Sequence, residues 1–393
     1  MGGASEDDNA MRWFLERADG GDILVFRTSG SDGYNSYLFS DLGVTVNSVE
    51  TIVCHNSSAS SDPYVLQRIQ QAEAVFFAGG DQWDYISFWR NTPFNAALNT
   101  AITQRSIVIG GTSAGMAIQG QYYFSAQNGT VTSAAALNNP FSNLVTVDSA
   151  PFLANAALTG TITDSHFDNP DRKGRMTTFL ARILTDNGVQ AKGIACDEYT
   201  AVCIDELGSA RVFGGYPDYD DNAYFIQTNC ELEIFAPENC TSNNPLNWNL
   251  GGEALKVYRI KGNDSGTNSF DLNSWQSGSG GTWLNWSVNS GSFSEQPGDA
   301  INCSSVGLAD SNETTSEPFP NPSSDIVRLA LRDAAAEVFK SEIINASGQS
   351  VDTQIIKEGN QIRIDVSHLP VGVYQLSVIT SGNLRIKKRI VRM

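Results

Sequence analysis

The sequence contains no apolar run of about 18 residues or more, which excludes a hydrophobic helix long enough to span a membrane. Basic residues are also scarce: 25 Lys and Arg stand against 43 Asp and Glu, for a net charge of −18. Such a surface repels a phosphate backbone, so nucleic acid is not an expected partner. With 41% hydrophobic and 17% charged residues over 393 positions, the chain is typical of a folded protein of two or three domains.

Cysteine and histidine are equally sparse. Six cysteines are too few for a disulfide scaffold. Cys230 and Cys240 lie in one loop-like stretch and are predicted to bridge if the protein is exported, and Cys196 and Cys203 face each other if their strands form a hairpin. No His/Cys cluster suggests a metal site, so no metal and no other cofactor is expected.

The first 265 or so residues alternate between predicted strands and helices. Short apolar runs ending in small residues indicate buried parallel strands, and helices are expected after Ser61, from Ala114 and up to Gly188. The predicted strands include 22–30, 49–54, 74–80, 106–111 and 158–163. This alternation predicts an α/β fold with a mostly parallel sheet and helices on both faces.

The N-terminus departs from this pattern. Met1-Gly2-Gly3-Ala4 looks like the turn after a first strand, with Ser5 capping the helix that follows, yet no strand precedes it. We therefore expect Met1 to be an internal methionine of a gene product with an upstream strand and a leader peptide, so a missing signal peptide does not argue for the cytoplasm.

The composition divides the chain into three domains: 1–262, a Gly/Ser/Asn-rich insert and linker at 263–317, and 318–393. Three tryptophans, Trp275, Trp283 and Trp286, are too many for a pure linker, so part of the insert is expected to pack on the first domain. Residues 318–393 alternate apolar and polar side chains, with turns predicted at 345–350, 357–361 and 380–384, which indicates a small antiparallel β-sandwich. Its net charge is +3, against −21 for residues 1–317.

Gly111-Thr112-Ser113-Ala114-Gly115 follows a predicted strand and precedes a predicted helix. This is the G-x-S-x-G pattern of a nucleophile elbow, in which a strained turn raises the serine hydroxyl above the sheet. The alternative is a tight turn of small residues with a buried serine.

A nucleophilic serine needs a base, and the chain has three histidines. His166 follows the strand at 158–163, so it is expected at the carboxyl edge of the sheet, where Ser113 also emerges. His55 also follows a strand, and His368 lies in the C-terminal domain. His166 is therefore the predicted base, the alternative being a hydrogen-bonded loop histidine.

The base needs an acid, and a developing oxyanion needs donors. Glu198 is the best-placed acid and Asp197 the second choice, unless both are solvated turn carboxylates. The turn Gly79-Gly80-Asp81-Gln82 offers a backbone amide at the same edge. No Walker lysine follows this turn, which argues against a nucleotide site.

Four segments in this order, AVFFAGGDQ, VIGGTSAGM, DSHF with R-x-x-R, and GIACDEYTA, resemble the cyanophycinase and peptidase E family of serine peptidases over residues 1–262. The resemblance implies a flavodoxin-like or class I glutamine amidotransferase-like sheet. It implies Ser113 as nucleophile, His166 as base and Glu198 as third member, with the Gly80 and Ala114 amides as oxyanion hole. It also implies a substrate pocket lined by Gln82, Asp164, Arg172 and Arg175.

Cyanophycinases cleave β-aspartyl-arginine dipeptide units from a polymer, as exopeptidases. Ser165 and Pro170 stand where they have Gln and Arg, so hydrolysis is better supported than this specificity. By charge alone, Asp164 is suited to bind a guanidinium group of the substrate, and Arg172 or Arg175 a carboxylate of the substrate. The alternative is that the arginines are surface charges.

The tail has a resemblance of its own. PFPNPSSDIVRLAL, SEIINASGQSV, HLPVGVYQLSV and the basic end LRIKKRIVRM resemble the C-terminal sorting domain of type IX secretion. The resemblance implies export across a bacterial outer membrane with the secretion machinery as partner. The alternative is an accessory carbohydrate-binding or adhesive β-module.

Together these observations predict a secreted or surface serine exopeptidase that acts on aspartyl peptides. An α-aspartyl dipeptidase and a non-catalytic surface binding protein on the same fold are the alternatives. The oligomeric state is left open, with a homodimer among the alternatives.

Overall fold

A computed structural model describes residues 1–303, 318–330, 338–345, 350–351, 353–380 and 385–393. The chain divides into two compact units, Met1–Asn302 and Cys303–Met393, which are described separately. Within the described ranges, no helix is long and apolar enough to cross a membrane. Residues 304–317 of the predicted linker, and most of the turns predicted at 345–350 and 380–384, lie outside the described residues.

The helices and strands of the described residues are given in chain order. The helices are α1 (Asp8–Glu16), α2 (Tyr34–Ser36), α3 (Pro63–Gln71), α4 (Gln82–Trp89), α5 (Pro93–Arg105), α6 (Ala114–Ala117), α7 (Ser133–Asn138) and α8 (Lys173–Asn187). The strands of the first unit are β1 (Asp22–Arg27), β2 (Ser48–Val53), β3 (Ala74–Phe77), β4 (Val108–Gly111), β5 (Tyr123–Phe124), β6 (Val147–Asp148), β7 (Thr161–Asp164), β8 (Lys192–Cys196), β9 (Ala201–Ile204), β10 (Ser209–Phe213), β11 (Asn222–Thr228), β12 (Leu255–Lys261), β13 (Asn268–Asp271), β14 (Gly278–Ser279), β15 (Gly281–Asn289) and β16 (Ser292–Pro297). Those of the second unit are β17 (Ile326–Ala330), β18 (Val338–Asn345), β19 (Ser350–Val351), β20 (Ile355–Glu358), β21 (Gln361–Asp365), β22 (Gly372–Thr380) and β23 (Arg385–Arg392).

The N-terminal sheet is parallel, with strand order β2-β1-β3-β4. The central strands β1 and β3 are buried, as continuous apolar runs predict, whereas the edge strands β2 and β4 are only partly buried. An aromatic cluster fills the core on one face: Phe26 packs against Phe94, and Trp89 stacks on Phe94 with ring centroids 4.4 Å apart. The predicted α/β class, with its parallel sheet, is confirmed.

Two predicted helix caps are wrong by one or two residues. The cap of α1 is Asp7, whose carboxylate accepts the Ala10 N–H, and the cap of α3 is Asp62. A carboxylate accepts these amide hydrogen bonds as a serine hydroxyl does, and its charge also suits the positive end of the helix dipole. The C-terminal end of α8 is as predicted, since Gly188 has φ +68° and terminates the helix.

A second sheet of the first unit has strand order β16-β15-β12-β11-β8-β7. Its β7 and β8 are parallel, and the remaining neighbours are antiparallel. Strands from 268–297 belong to this sheet and to the antiparallel sheet β14-β13-β10-β9. Trp286 is fully buried, so this tryptophan-rich segment forms part of the core of the first unit. The three-domain division by composition stays a prediction.

The second unit contains the antiparallel sheets β17-β21-β20 and β19-β18-β22-β23. Alternate residues of these strands, such as Val327, Leu329, Ile362 and Ile364, are buried in one hydrophobic cluster, while their neighbours are not. Period-two alternation therefore identified the predicted β-sandwich correctly.

The predicted cysteine pairs are wrong. Cys230 and Cys303 are disulfide-bonded, whereas Cys240 is a buried free thiol. Cys196 and Cys203 are also free, because β8 and β9 join different sheets and form no hairpin. Proximity in sequence was a poor guide to pairing, since the two bonded cysteines are 73 positions apart.

A cavity of about 710 Å³ lies beside β4, lined mainly by apolar side chains that include Phe14, Val108 and Met116. Met1 also lines this cavity and is hydrogen-bonded to the end of β4: its amino group donates to the Gly111 carbonyl at 2.8 Å, and its carbonyl accepts the Ser113 N–H. The upstream strand that the sequence predicts stays a prediction.

Candidate active site

Ser113 lies in the sharp turn between β4 and α6, with φ +54° and ψ −116°. The turn is possible because its neighbours are glycines. A Cβ on Gly111 would lie 2.4 Å from the Gly115 carbonyl oxygen, and one on Gly115 would lie 2.0 Å from the carbonyl oxygen of Phe77. A side chain at either position would therefore force the turn apart. The strained geometry matches that expected of a G-x-S-x-G turn.

His166 follows β7, which belongs to the second sheet and not to the sheet of β4, so the predicted common sheet edge is wrong; the two strand ends nevertheless bring His166 to Ser113. Its Nε2 lies 2.8 Å from the Ser113 Oγ, a hydrogen-bonding distance. The residue adopts φ +47°, and its ring remains about one-quarter exposed. The imidazole is thus placed to take a proton from the hydroxyl and remains accessible from solvent.

Glu198 completes the hydrogen-bonded chain from the loop after β8. Its Oε1 lies 2.6 Å from His166 Nδ1, and its Oε2 accepts from Asn169 Nδ2 at 3.5 Å. The hydrogen bond from His166, followed by that from Asn169 and by the charges of His166 and Arg172, lowers the pKa of Glu198. An ionised carboxylate at this position favours the tautomer in which Nδ1 carries the proton and Nε2 accepts.

The second-choice acid, Asp197, faces away from His166. Its Oδ2 accepts a hydrogen bond from Asn222 at 2.8 Å, and the side chain is 3% exposed. Burial raises the pKa of Asp197 to about 7. Asp197 directly follows β8 and is held by Asn222, whereas Glu198 lies in the turn after it, and only the Glu198 carboxylate meets the imidazole.

The Gly79-Gly80 turn packs directly against the serine. A Cβ on Gly79 would lie 3.5 Å from the Ser113 Cβ, and Gly80 has φ +151°. In the described part of the chain no acceptor is seen for the backbone amides of Gly80 and Ala114. Two amide donors without an internal acceptor, in the two turns that meet at Ser113, suit the oxyanion role that the resemblance implies.

The four predicted pocket residues divide into two pairs. Asp164 and Arg175 bind each other in the interior: Nη2 to Oδ1 is 2.5 Å, Nε to Oδ2 is 2.9 Å, and both side chains are 3% exposed. In this arrangement their charges neutralise each other, so their placement does not support the predicted contacts with substrate. A buried, bidentate pair of this kind has a structural role.

Gln82 and Arg172 are the more accessible pair. Gln82 begins α4, two residues after the glycine turn, and its amide donates weakly to the Phe124 carbonyl at 3.5 Å. Arg172 donates to the Ser165 carbonyl at 2.9 Å, and its Nε has no partner among the described residues. Burial, and then the charge of Arg175, lowers the pKa of Arg172, so an anionic group beside it would be stabilised.

Two supporting residues were not found from the sequence. Asp168 Oδ1 accepts the Glu198 backbone N–H at 2.9 Å, and Asn169 donates to the Glu198 carboxylate. Both lie directly after the DSHF segment, and an Asp-Asn pair near a candidate histidine was the available signal. Among the described residues, no group of three or more His, Cys, Asp or Glu side chains is arranged to hold a metal ion.

Comparison with known proteins matches both parts of the chain to families. Residues 34–211, which include Ser113, His166 and Glu198, match the model of peptidase family S51, and residues 317–392 match the secretion system C-terminal sorting domain. The cyanophycinase of Synechococcus elongatus is 25% identical over 177 residues, 45% of this chain and 49% of the relative. That of Trichormus variabilis is 25% identical over 208 residues, 53% of this chain and 63% of the relative. The chain therefore spans about half to two-thirds of the length of these relatives.

A comparison with solved structures finds a peptidase from an acI-B1 Actinobacterium, at 14% identity and a TM-score of 0.39, covering 53% of this chain and 82% of that one. A putative peptidase E protein from Listeria monocytogenes EGD-e has 14% identity and a TM-score of 0.35, covering 54% and 96%. The family matches agree with the motifs read from the sequence. The resemblance to the cyanophycinase and peptidase E family, with a C-terminal secretion sorting domain, is thereby confirmed.

Proposed function

We propose that the first unit is a serine exopeptidase that hydrolyses aspartyl peptide bonds through Ser113, His166 and Glu198. The observation that carries the proposal is the continuous chain of two hydrogen bonds, 2.8 Å from Ser113 Oγ to His166 Nε2 and 2.6 Å from His166 Nδ1 to Glu198. Three residues separated by 53 and 32 positions, on loops that follow strands of two sheets, meet in the order that nucleophile activation requires.

In the proposed reaction, Ser113 Oγ attacks the scissile carbonyl carbon while its proton passes to His166 Nε2. Glu198 stabilises the resulting imidazolium through Nδ1. The Gly80 and Ala114 amides donate to the oxyanion. Collapse of this intermediate breaks the C–N bond, and His166 returns the proton to the leaving amine. A water molecule then hydrolyses the acyl-serine by the same steps, and Ser113 regains its proton.

For the substrate, we propose a peptide from which an aspartyl dipeptide unit is released, with β-aspartyl-arginine as the first candidate for that unit. Arg172 supports this choice, because its unpartnered Nε and lowered pKa favour an anionic group beside it. Gln82, whose only hydrogen bond in the described structure is long, supplies an amide on the side of the glycine turn. The cyanophycinase relatives support the β-aspartyl-arginine linkage as the one to test first.

A matched substrate panel tests the proposal. A polymer of β-aspartyl-arginine units, the free dipeptides β-aspartyl-arginine and α-aspartyl-arginine, and alanyl-arginine are compared at equal concentration, with Ser113→Ala as the blank. We expect the unchanged protein to release β-aspartyl-arginine units from the polymer and Ser113→Ala to release none. Faster turnover of the α-linked peptide would assign an α-aspartyl dipeptidase, and binding without turnover of any peptide would assign a binding protein.

We further propose that residues 318–393 direct export by the type IX system. The match to the sorting domain over residues 317–392 supports this, as does the basic end of the chain. Expression in a bacterium that has this system, with and without residues 318–393, tests it. Activity in the medium or at the cell surface is expected only with the tail present, and equal export of both forms would contradict it.

A further inference from the structure

The first three residues contact all three loops of the proposed triad. Each of the three carbonyls of this segment accepts a backbone N–H from one of these loops. The Met1 carbonyl accepts from Ser113 at 3.1 Å, the Gly2 carbonyl from His166 at 2.8 Å, and the Gly3 carbonyl from Tyr199 at 3.0 Å. Tyr199 directly follows Glu198, so the acid's loop is held through its neighbour.

The three amides held in this way belong to strained residues. Ser113, His166 and Tyr199 have φ of +54°, +47° and +61°, the left-handed region that a residue with a side chain rarely adopts. Each such conformation is unfavourable and persists only where the surrounding structure imposes it. A hydrogen bond to the amide of each one is a direct way of imposing it, and residues 1–3 supply all three.

Only glycine fits at the centre of this segment. Gly3 has φ +107°, and a Cβ there would lie 2.4 Å from His166 Nε2, the atom that faces Ser113. A Cβ on Gly2 would lie 1.8 Å from the Asp197 carbonyl oxygen. Real Cβ contacts are not this short, so a side chain at Gly3 has to displace the imidazole.

We propose that Gly2-Gly3 is a positioning element that sets the relative placement of Ser113, His166 and the Glu198 loop. Gly3 fixes the imidazole by steric contact, and the carbonyls of residues 1–3 fix the three strained turns. These residues lie outside the segment matched to the peptidase family, which begins at residue 34. The expected effect on kcat rests on the proposed function, whereas the placement of the His166 ring by Gly3 rests on the geometry alone.

The first test compares Gly3→Ala with Gly129→Ala. Gly129 also has positive φ, +97°, but its Cβ would meet nothing within 4 Å, so it reproduces the backbone strain without the contact to His166. We expect kcat of Gly3→Ala to fall about 100-fold or more with KM within 3-fold, since small misplacement of a reacting group has effects of this size. Gly129→Ala should keep both constants within 3-fold. Equal kcat in both glycine variants would overturn the proposal.

A second readout does not depend on activity. The chain has three histidines, so the ring resonances of His166 are assigned by comparison with His166→Ala. Gly3→Ala should shift the His166 ring signals and leave those of His55 unchanged, whereas Gly129→Ala should shift neither. If the unchanged protein cleaves no peptide but this shift is seen, the proposed function fails and the positioning role stands. An unshifted His166 ring in a folded Gly3→Ala variant overturns the positioning role.

If Gly3→Ala does not fold, amide hydrogen exchange of the unchanged protein decides. The amides of Ser113, His166 and Tyr199 are expected to exchange together and slowly, because all three donate to one segment. Exchange of any of the three at the rate of a free loop amide would contradict the proposed element.

Discussion

Two residues at the end of β7, Asp164 and His166, belong to regions with opposite character. Asp164 points inward and pairs with Arg175, with both side chains 3% exposed. His166 points to the sheet edge and pairs with Glu198, with side chains 24% and 19% exposed. Each pair is hydrogen-bonded and contains a carboxylate, and Asp164 and His166 lie only two positions apart in the chain. Their difference in burial separates a structural pair from one that a substrate can reach.

The physical basis is desolvation. Removing one partner of a buried pair leaves an uncompensated charge in a medium of low polarity, which is strongly destabilising. At the partly exposed edge water solvates the remaining partner, so the loss is small in stability but large in rate. The proposed triad region should therefore respond to substitution in catalysis, and the Asp164–Arg175 region in folding.

The largest effect is expected at the triad. Ser113→Ala and His166→Ala should each lower kcat by about 10⁴-fold or more, because neither residue activates the bond without the other. The double variant should be no slower than the single ones. Steady-state kinetics on the best peptide of the panel measures this, with the exposed Ser87→Ala as control. Additive losses in the double variant would contradict a shared mechanism.

The buried pair should show the reverse response. Asp164→Ala should lower the free energy of unfolding by about 3–5 kcal/mol, since Arg175 is left charged and unpaired. Replacing both residues, as Asp164→Leu with Arg175→Met, should recover most of that loss. Urea unfolding measures both. If Asp164→Ala keeps its stability and raises only KM, Asp164 is a substrate contact, as the sequence first predicted.

Asp197 is a second buried carboxyl group, and it makes the stability of the protein depend on pH. Burial raises its pKa to about 7, so the folded protein binds a proton that the unfolded chain releases near pH 3.8. Stability from this group is therefore present at low pH and falls as pH rises from about 4 to about 7. Asp197→Asn should exceed the unchanged protein in stability by at most about 4 kcal/mol at pH 8.5 and by less than half of that at pH 5, because the loss accumulates between about pH 4 and about pH 7. The exposed Asp218→Asn is the control, and an equal difference at both pH values would refute the shift.

The smallest effect is expected one step behind the triad. Asp168 accepts the Glu198 N–H but does not touch the imidazole. Asp168→Asn retains an acceptor oxygen and should lower kcat by about 10-fold or less, whereas Asp168→Ala should lower it further. If Asp168→Ala is as slow as His166→Ala, Asp168 takes part in the chemistry directly.

The positions of Ser113, His166 and Glu198 could be inferred from sequence because strand ends can be inferred. Apolar runs at 106–111 and 158–163 end in polar or small residues, which marks both strand ends, although the two strands belong to different sheets and not to the single sheet that was predicted. The β-sandwich was predictable for a similar reason, since each strand of the second unit alternates with period two.

The sequence did not indicate in which direction a side chain points, or which residues far apart in the chain come into contact. R-x-x-R places Arg172 and Arg175 on one face of a helix, but it does not say that Arg175 reaches back to Asp164 in the interior. Asp62 and Asp7 displaced the predicted serine caps because each alternative is only one or two residues away. The bonded cysteines, 230 and 303, were missed because tertiary structure, not local spacing, brings cysteines together.

The most direct test of the central claim is labelling of the folded protein with a fluorophosphonate, followed by intact mass and peptide mapping. The account predicts one adduct per chain on Ser113, no adduct in Ser113→Ala, and much slower labelling in His166→Ala. Labelling of Ser113→Ala at the rate and stoichiometry of the unchanged protein would contradict it.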